Sequence, residues 1–219
     1  VSVEPIITEA TLPMNESGWL SFRILSNIVT VPLPETGDKI ISGVTSSGIF
    51  KIDAIGEISN ICLGASASTL SMLVRQNIDI TPPRVEIIEK SEYTKNVSTK
   101  KVFVKVNYVE GVKGCSILML EEADAKRIAD LMMGSDGNGD FANMELGELH
   151  ISAVSEAMNQ MMGAAATSMS VMIERKTDIS TPEAKYMEDG QYIAYEFPDD
   201  DKLVKVGFRM QIGKIFSSQ

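Results

Sequence analysis

Shifted by 99 positions, this sequence lies on itself: residues 53–83 align with residues 152–182 without a gap. Ten of those 31 positions are identical, among them Glu57/Glu156, Asn60/Asn159, Gly64/Gly163 and Pro83/Pro182. A unit of about a hundred residues is longer than solenoid repeats allow. Two copies of it, at about 51–134 and 148–219, therefore predict two related halves of one pseudo-symmetric domain.

Each half opens on a helix. From position 52 to about 74 there is no proline, and Ala, Leu, Met and Ile dominate, as in a long helix laid on a sheet. The small residues 64–67, and 163–166 in the second copy, predict close approach to a neighbouring element. Thr81-Pro82-Pro83 and Thr181-Pro182 then force extended backbone, because the residue before proline is pushed out of helical geometry. Strands are expected at 85–88 and 102–108, the latter turning through Glu110-Gly111-Val112-Lys113-Gly114 into 115–120 as a hairpin. A shorter helix over 123–133 stops at Gly134. The second copy predicts strands near 191–197 and 203–212. It reaches Gln219 without the hairpin's second strand or the short helix, an apparent truncation that points to further sequence beyond. Residues 1–50 have no counterpart in the repeat. They predict an N-terminal arm with one short amphipathic piece around 19–29, preceding a domain that spans 51–219.

Composition removes several function classes. Hydrophobic residues are 44% and charged residues 23%, the balance of a soluble globular chain. A net charge of −10 argues against nucleic acid, whose phosphates are bound mainly through Lys and Arg. Cys62 and Cys115 lie far apart in apolar company and predict reduced, buried thiols of a cytosolic protein rather than a disulfide. With His150 as the only histidine, there is no multi-histidine metal site and no evident Ser-His or Cys-His pair. No apolar run reaches the roughly eighteen residues of a membrane span, and the N-terminus lacks a secretory signature.

What remains is a polar stripe on each helix. Asp53, Glu57 and Asn60 fall within an arc of about 60°, at about 100° per residue, and Ser152, Glu156 and Asn159 do the same. An amphipathic helix carries a solvated face as a matter of course. Here, however, Glu and Asn return at the same spacing in both halves of a diverged chain, without a Lys or Arg in the stripe to pair with. Asn is also a mediocre helix former. A carboxamide donates and accepts at once, so it can orient a water molecule without becoming charged. A carboxylate one turn away can clamp a lysine or hydroxyl. With no nucleophile, histidine or metal cluster beside them, the pair suits insertion into another protein's active site. Phosphoryl transfer tolerates such sparse machinery, because positioning and electrostatics carry most of the barrier reduction.

Asp or Ser, three residues, Glu, two residues, Asn, twenty-two residues and Pro resembles the motif of the CheC/FliY family of CheY-phosphate phosphatases. Asp53-Glu57-Asn60-Pro83 fits it, and Ser152-Glu156-Asn159-Pro182 fits it again. The strings GELHISAVSEAMNQMMGAAATSMS, VNYVEGVKG and ADLMMGSDGNGD are similar to the FliY branch in particular, and the resemblance covers about residues 50–216. It implies an α/β fold: a three-layer α/β/α sandwich with pseudo-two-fold symmetry, two long helices and a broad sheet. It implies hydrolysis of the aspartyl phosphate of CheY, the diffusible chemotaxis signal. Asn60 and Asn159 would align the attacking water, while Glu57 and Glu156 would contact CheY at its active-site lysine. Asp53 and Ser152 would support the motif, and Pro83 and Pro182 would shape the helix exit. No cofactor is expected in this chain, because Mg2+ would arrive bound to CheY. Partners would be phosphorylated CheY and the switch proteins FliM, FliG and those of FliN type. The implied location is cytoplasmic, at the flagellar basal-body switch on the inner face of the membrane. Relatives of the FliY branch often begin with a short acidic-hydrophobic peptide that captures CheY and end in a switch-ring domain. Residues 1–30 do not clearly match the first, so a free-standing CheC stays open. The alternative function is a non-catalytic switch scaffold of FliM middle-domain type, binding FliG, FliM or CheY.

Other features are weaker. Asp136, Asn138 and Asp140 begin like a calcium loop, but Phe141 and Gly147 stand where the tight-turn Gly and bidentate Glu belong. Residues 199–201 are expected to form a turn, and Asn96-Val97-Ser98 matters as a glycosylation triplet only in a secreted protein. His150 is expected to cap or pack beside the second helix, and the thirteen methionines suit adaptable packing.

Overall fold

A computed structural model describes residues 19–30, 47–95, 100–137, 139, 141, 143–197 and 202–213. The chain begins with β1 (Trp19–Thr30), followed by the long helix α1 (Ser47–Val74), β2 (Ile78–Ile80), β3 (Arg84–Glu89) and α2 (Lys90–Lys95). The hairpin β4 (Lys100–Glu110) and β5 (Lys113–Glu121) leads into α3 (Glu122–Met132). The second half runs α4 (Glu148–Met172), β6 (Asp178–Ile179), β7 (Glu183–Glu188), α5 (Asp189–Glu196) and β8 (Lys202–Ile212). Both long helices and the hairpin lie where the sequence predicts them.

The strands form one antiparallel sheet of order β2-β8-β1-β5-β4-β6, with β3 also on β8 and β7 also on β4. The two halves exchange strands. β3 of the first half pairs along β8 of the second, from Arg84↔Gly207 to Glu89↔Lys202. β7 of the second half pairs along β4 of the first, from Lys100↔Glu188 to Lys105↔Glu183. Neither half can complete its hydrogen bonding alone, so the pairing makes the two halves one folding unit.

The β4 alternation sorts the core into two layers. Val102, Val104 and Val106, with Leu118 and Leu120 of β5, pack beneath α1, α3 and α4 in one buried cluster. Phe103, Ile117 and Met119 point to the opposite face and meet Tyr192, Ile193 and Phe197 in and just after α5. Helices therefore cover both faces, as expected of an α/β/α arrangement. At the β4–β5 turn, Gly111 has φ of 81°, and a Cβ there would stand 2.1 Å from the carbonyl oxygen of Lys176. Only glycine fits this corner.

Two expectations need correction, and a third is met. The strand expected near 191–197 is helix α5, because its buried positions, Tyr192, Ile193 and Phe197, recur at helical spacing while Ala194 and Tyr195 are exposed. The amphipathic piece around 19–29 is β1, and it lies within the sheet rather than in an arm beside it. It pairs with β5 on one side and β8 on the other, for instance Ile24↔Leu118 and Ile24↔Val206. β1 thus stands beside β8 as β5 stands beside β4. Finally, His150 lies inside the first turn of α4, where its Nδ1 accepts a hydrogen bond from the Gly147 N–H at 3.1 Å. That is the capping role expected of it.

Asn138, Asp140, residues 96–98 and residues 199–201 lie outside the described residues. Among the described residues no group of His, Cys, Asp or Glu could hold a metal ion, and no helix is long and apolar enough to cross a membrane.

Candidate active site

The two motif helices pack directly on each other. The Cys62 thiol of α1 donates to the carbonyl oxygen of Ala165 in α4 at 3.4 Å, and the Ser66 hydroxyl reaches that of Met161 at 3.0 Å. Contacts descend along one helix as they ascend the other, so α1 and α4 are antiparallel. The small residues make this seam possible, but not all of them enter it. Ser66, Ala67, Ala165 and Ala166 are buried, whereas Gly64 is exposed, Gly163 is half-buried, and nothing lies within 4 Å of a Cβ built on either. The expectation that all the small residues serve helix approach is corrected for these two glycines.

The seam also isolates Cys62. Burial pushes its thiol from 9.0 up to about 11. Below pH 9 the thiol is neutral whether the chain is folded or not, and no stability is at stake. Between pH 9 and 11 the unfolded chain releases its proton while the folded chain keeps it, so stability falls as pH rises through that window. The expected loss is up to about 2 kcal/mol. Cys62→Ser, whose hydroxyl does not titrate, should lose correspondingly less stability over this range. Urea midpoints of both chains at pH 8 and pH 11 check this, and equal losses would contradict it.

The motif side chains sit on the outer surface of the pair. Asp53, Glu57 and Asn60 are exposed, as are Ser152 and Glu156, while Asn159 is half-buried. Cys62 and Ser66, which reach α4, lie about 200° and 240° round α1 from Asn60. Asn60 therefore faces away from α4, and by the same count Asn159 faces away from α1. The contact register places Asn159 level with residue 68 of α1, so the two carboxamides are offset by roughly 12 Å along the helices and lie on opposite flanks. The fold brings each Glu to its own Asn and keeps the two pairs apart.

The pairs are not equivalent. The side chains of Glu57 and Asn60 make no hydrogen bond among the described residues, and the neighbouring Ile61 is 42% exposed. In the second pair, Gln160 replaces that isoleucine, and its Nε2 donates to Glu156 Oε1 at 2.6 Å. Glu156 is thus partly engaged within its own helix, and Glu57 is not.

At the far end of each motif the prolines sit where α1 and α4 give way to strands. The Thr81 N–H donates to the Arg209 carbonyl at 3.0 Å, and the Arg209 N–H donates back to Thr81 Oγ1 at 3.0 Å. Ser180 repeats the exchange with Asn107, at 2.8 and 3.0 Å. Pro83 and the buried Pro182 follow these latches and lead into β3 and β7. They stand where the chain enters the sheet, which suits a role in shaping the exit.

The CheC-like family profile matches residues 50–87 and again residues 149–186. Each match encloses one helix-borne Glu/Asn pair with its trailing proline. FliY of Thermotoga maritima, solved by X-ray crystallography, is 38% identical, with a TM-score of 0.67 over 75% of this chain and 84% of that one. The chain belongs to the CheC/FliY family. The flagellar motor switch phosphatase FliY of Bacillus subtilis strain 168 is 47% identical over 167 residues, which are 76% of this chain and 44% of that protein. The chain therefore spans less than half the length of this relative. A chain of the FliG-FliM complex from H. pylori aligns with a TM-score of 0.53 at 13% identity, covering 78% of this chain and 94% of that one. That likeness is one of fold alone.

Sequence reasoning placed the CheC/FliY pairs on a helix surface, and the structure puts them there. What it could not show was the side of each helix they occupy relative to the other. Nor did it single out the two outward glycines, although their return at a fixed spacing after Asn was the available signal.

Proposed function

We propose that this chain is the catalytic portion of a phosphatase that hydrolyses the aspartyl phosphate of CheY at the flagellar motor switch. The observation that carries the reading is the pair of helix-borne Glu/Asn motifs on the outer surface, exposed but for the half-buried Asn159, each inside a match to the CheC-like family. The activity named for the Bacillus subtilis relative supports it.

The chemistry asks little of the enzyme. Water adds at phosphorus, the P–O bond to the aspartyl carboxyl breaks with its electron pair going to the carboxyl oxygen, and the water's protons stay with the inorganic phosphate; the departing carboxylate is stable as an anion near neutral pH. No general acid is required for such a leaving group. Asn60 or Asn159 holds the water in line, and Glu57 or Glu156 contacts the active-site lysine of CheY, which fixes the carboxamide over the phosphoryl group. Mg2+ is carried by CheY. Asp53 and Ser152 support the helix face from one turn before the acid. The exposed Ile61 offers an apolar contact beside the first pair. The protein works at the cytoplasmic face of the switch beside FliM, FliG and FliN-type proteins.

The competing reading, a FliM-type scaffold without turnover, is favoured only by the shared fold. A scaffold has no use for an acid and a carboxamide returning at the same helical spacing in both halves. The deciding measurement is phosphate release from phosphorylated CheY with this chain and with CheY alone. Equal rates would return the chain to the scaffold class.

A further inference from the structure

Gly64 and Gly163 each stand four residues after a motif asparagine, about 40° round the same helix face. Each interrupts the middle of a long helix, 28 residues in α1 and 25 in α4, where glycine is a poor helix former. The fold gives no reason for either. Neither has a positive φ among those of the chain, and nothing lies within 4 Å of an added Cβ. Gly111 is the contrasting case, with positive φ and a backbone carbonyl in the way. The residue one turn later turns back on each glycine in the same manner. Ser68 Oγ donates to the Gly64 carbonyl at 3.1 Å, and Thr167 Oγ1 donates to the Gly163 carbonyl at 2.9 Å.

A helical side chain leans toward the N-terminus and covers the turn before its own Cα. A side chain at 64 would therefore lie over the turn that carries Asn60, and one at 163 over the turn that carries Asn159. We infer that Gly64 and Gly163 are positioning residues that keep the helix surface bare so that the phosphorylated receiver domain can bring its acyl phosphate down onto the carboxamide. This rests on the proposed phosphatase reading, and it explains why both copies accept a helix-weakening residue at this one place.

Stability and activity should then move in opposite directions. Gly64→Ala with Gly163→Ala should raise Tm by roughly 3–6 °C, since both sites are open and alanine favours the helix. The same double change should raise KM for phosphorylated CheY by about 3- to 10-fold, with kcat within about twofold, because it obstructs docking and leaves the asparagine in place. The double leucine variant should lose at least about 30-fold in kcat/KM while remaining folded. Leucine variants that hydrolyse CheY phosphate like the wild type would overturn the inference. So would alanine variants that lose Tm together with activity, which would make the glycines structural. Asn60→Ala/Asn159→Ala is run alongside. If that variant is inactive and the glycine variants are fully active, only the clearance role fails. If it is fully active, the phosphatase reading fails and this inference with it.

Discussion

Asn60→Ala combined with Asn159→Ala is expected to slow hydrolysis of CheY phosphate by at least about a hundredfold, or about 2.7 kcal/mol of barrier. Removing a single donor aimed at a reacting group has consequences of this order in other enzymes. Here each motif asparagine offers a carboxamide that can both donate to and accept from a water molecule. The fold should not register the change, because Asn60 is exposed, Asn159 is half-buried, and surface substitutions away from special features rarely shift stability by more than about 0.5 kcal/mol. The single variants carry a second, sharper expectation. The pairs lie on opposite flanks of the helix pair, too far apart to share one phosphoryl group, so their rates add. The first pair is exposed and its side chains make no hydrogen bond among the described residues, whereas Glu156 is held by Gln160 and Asn159 is half-buried. Asn60→Ala should therefore remove more than half of the rate and Asn159→Ala less than half. A double variant as fast as wild type would remove the catalytic role of these residues altogether.

Phe103→Ala is expected to destabilise the chain by about 3–5 kcal/mol, a large share of the roughly 5–15 kcal/mol that holds a domain of this kind together. Phe103 is fully buried in the first half of β4 and stacks on Tyr192 of α5, with ring centroids 4.2 Å apart and planes at 22°. Its neighbours, Ile117, Met119, Ile193 and Leu203, come from two strands and a helix that are each held in place by the sheet, which limits their collapse into the vacancy. The loss should appear as a lower urea midpoint with an unchanged slope. Because Phe103 faces α5, across the sheet from α1 and α4, the folded fraction should keep wild-type hydrolysis per molecule. A cost below about 1 kcal/mol would mean that the second core is dispensable.

The candidate site was largely legible before any coordinates, for a physical reason. Glu57, Asn60, Glu156 and Asn159 share a helix face because of a fixed 100° step, and that step is a property of local backbone geometry. Duplication then separated signal from noise, since a merely solvated face has no cause to return Glu and Asn at the same offset. The outward glycines were visible too, but their meaning was not. A small residue on a helix can serve close packing or clearance, and only the position of the neighbouring helix decides which.

From the residues alone came the two halves, the long helices with their acid and carboxamide, the prolines that end each unit, and membership of a phosphatase-like family. Tertiary structure decided three further matters. It set β1 between β5 and β8, took residues 189–196 as helix rather than strand, and turned the two asparagines away from each other. Periodicity is written along the chain and survives without a partner. The neighbour of a strand is chosen by hydrogen bonds and burial between segments nearly two hundred residues apart, as for Trp19 opposite Gln211, and no local pattern in either segment names the other.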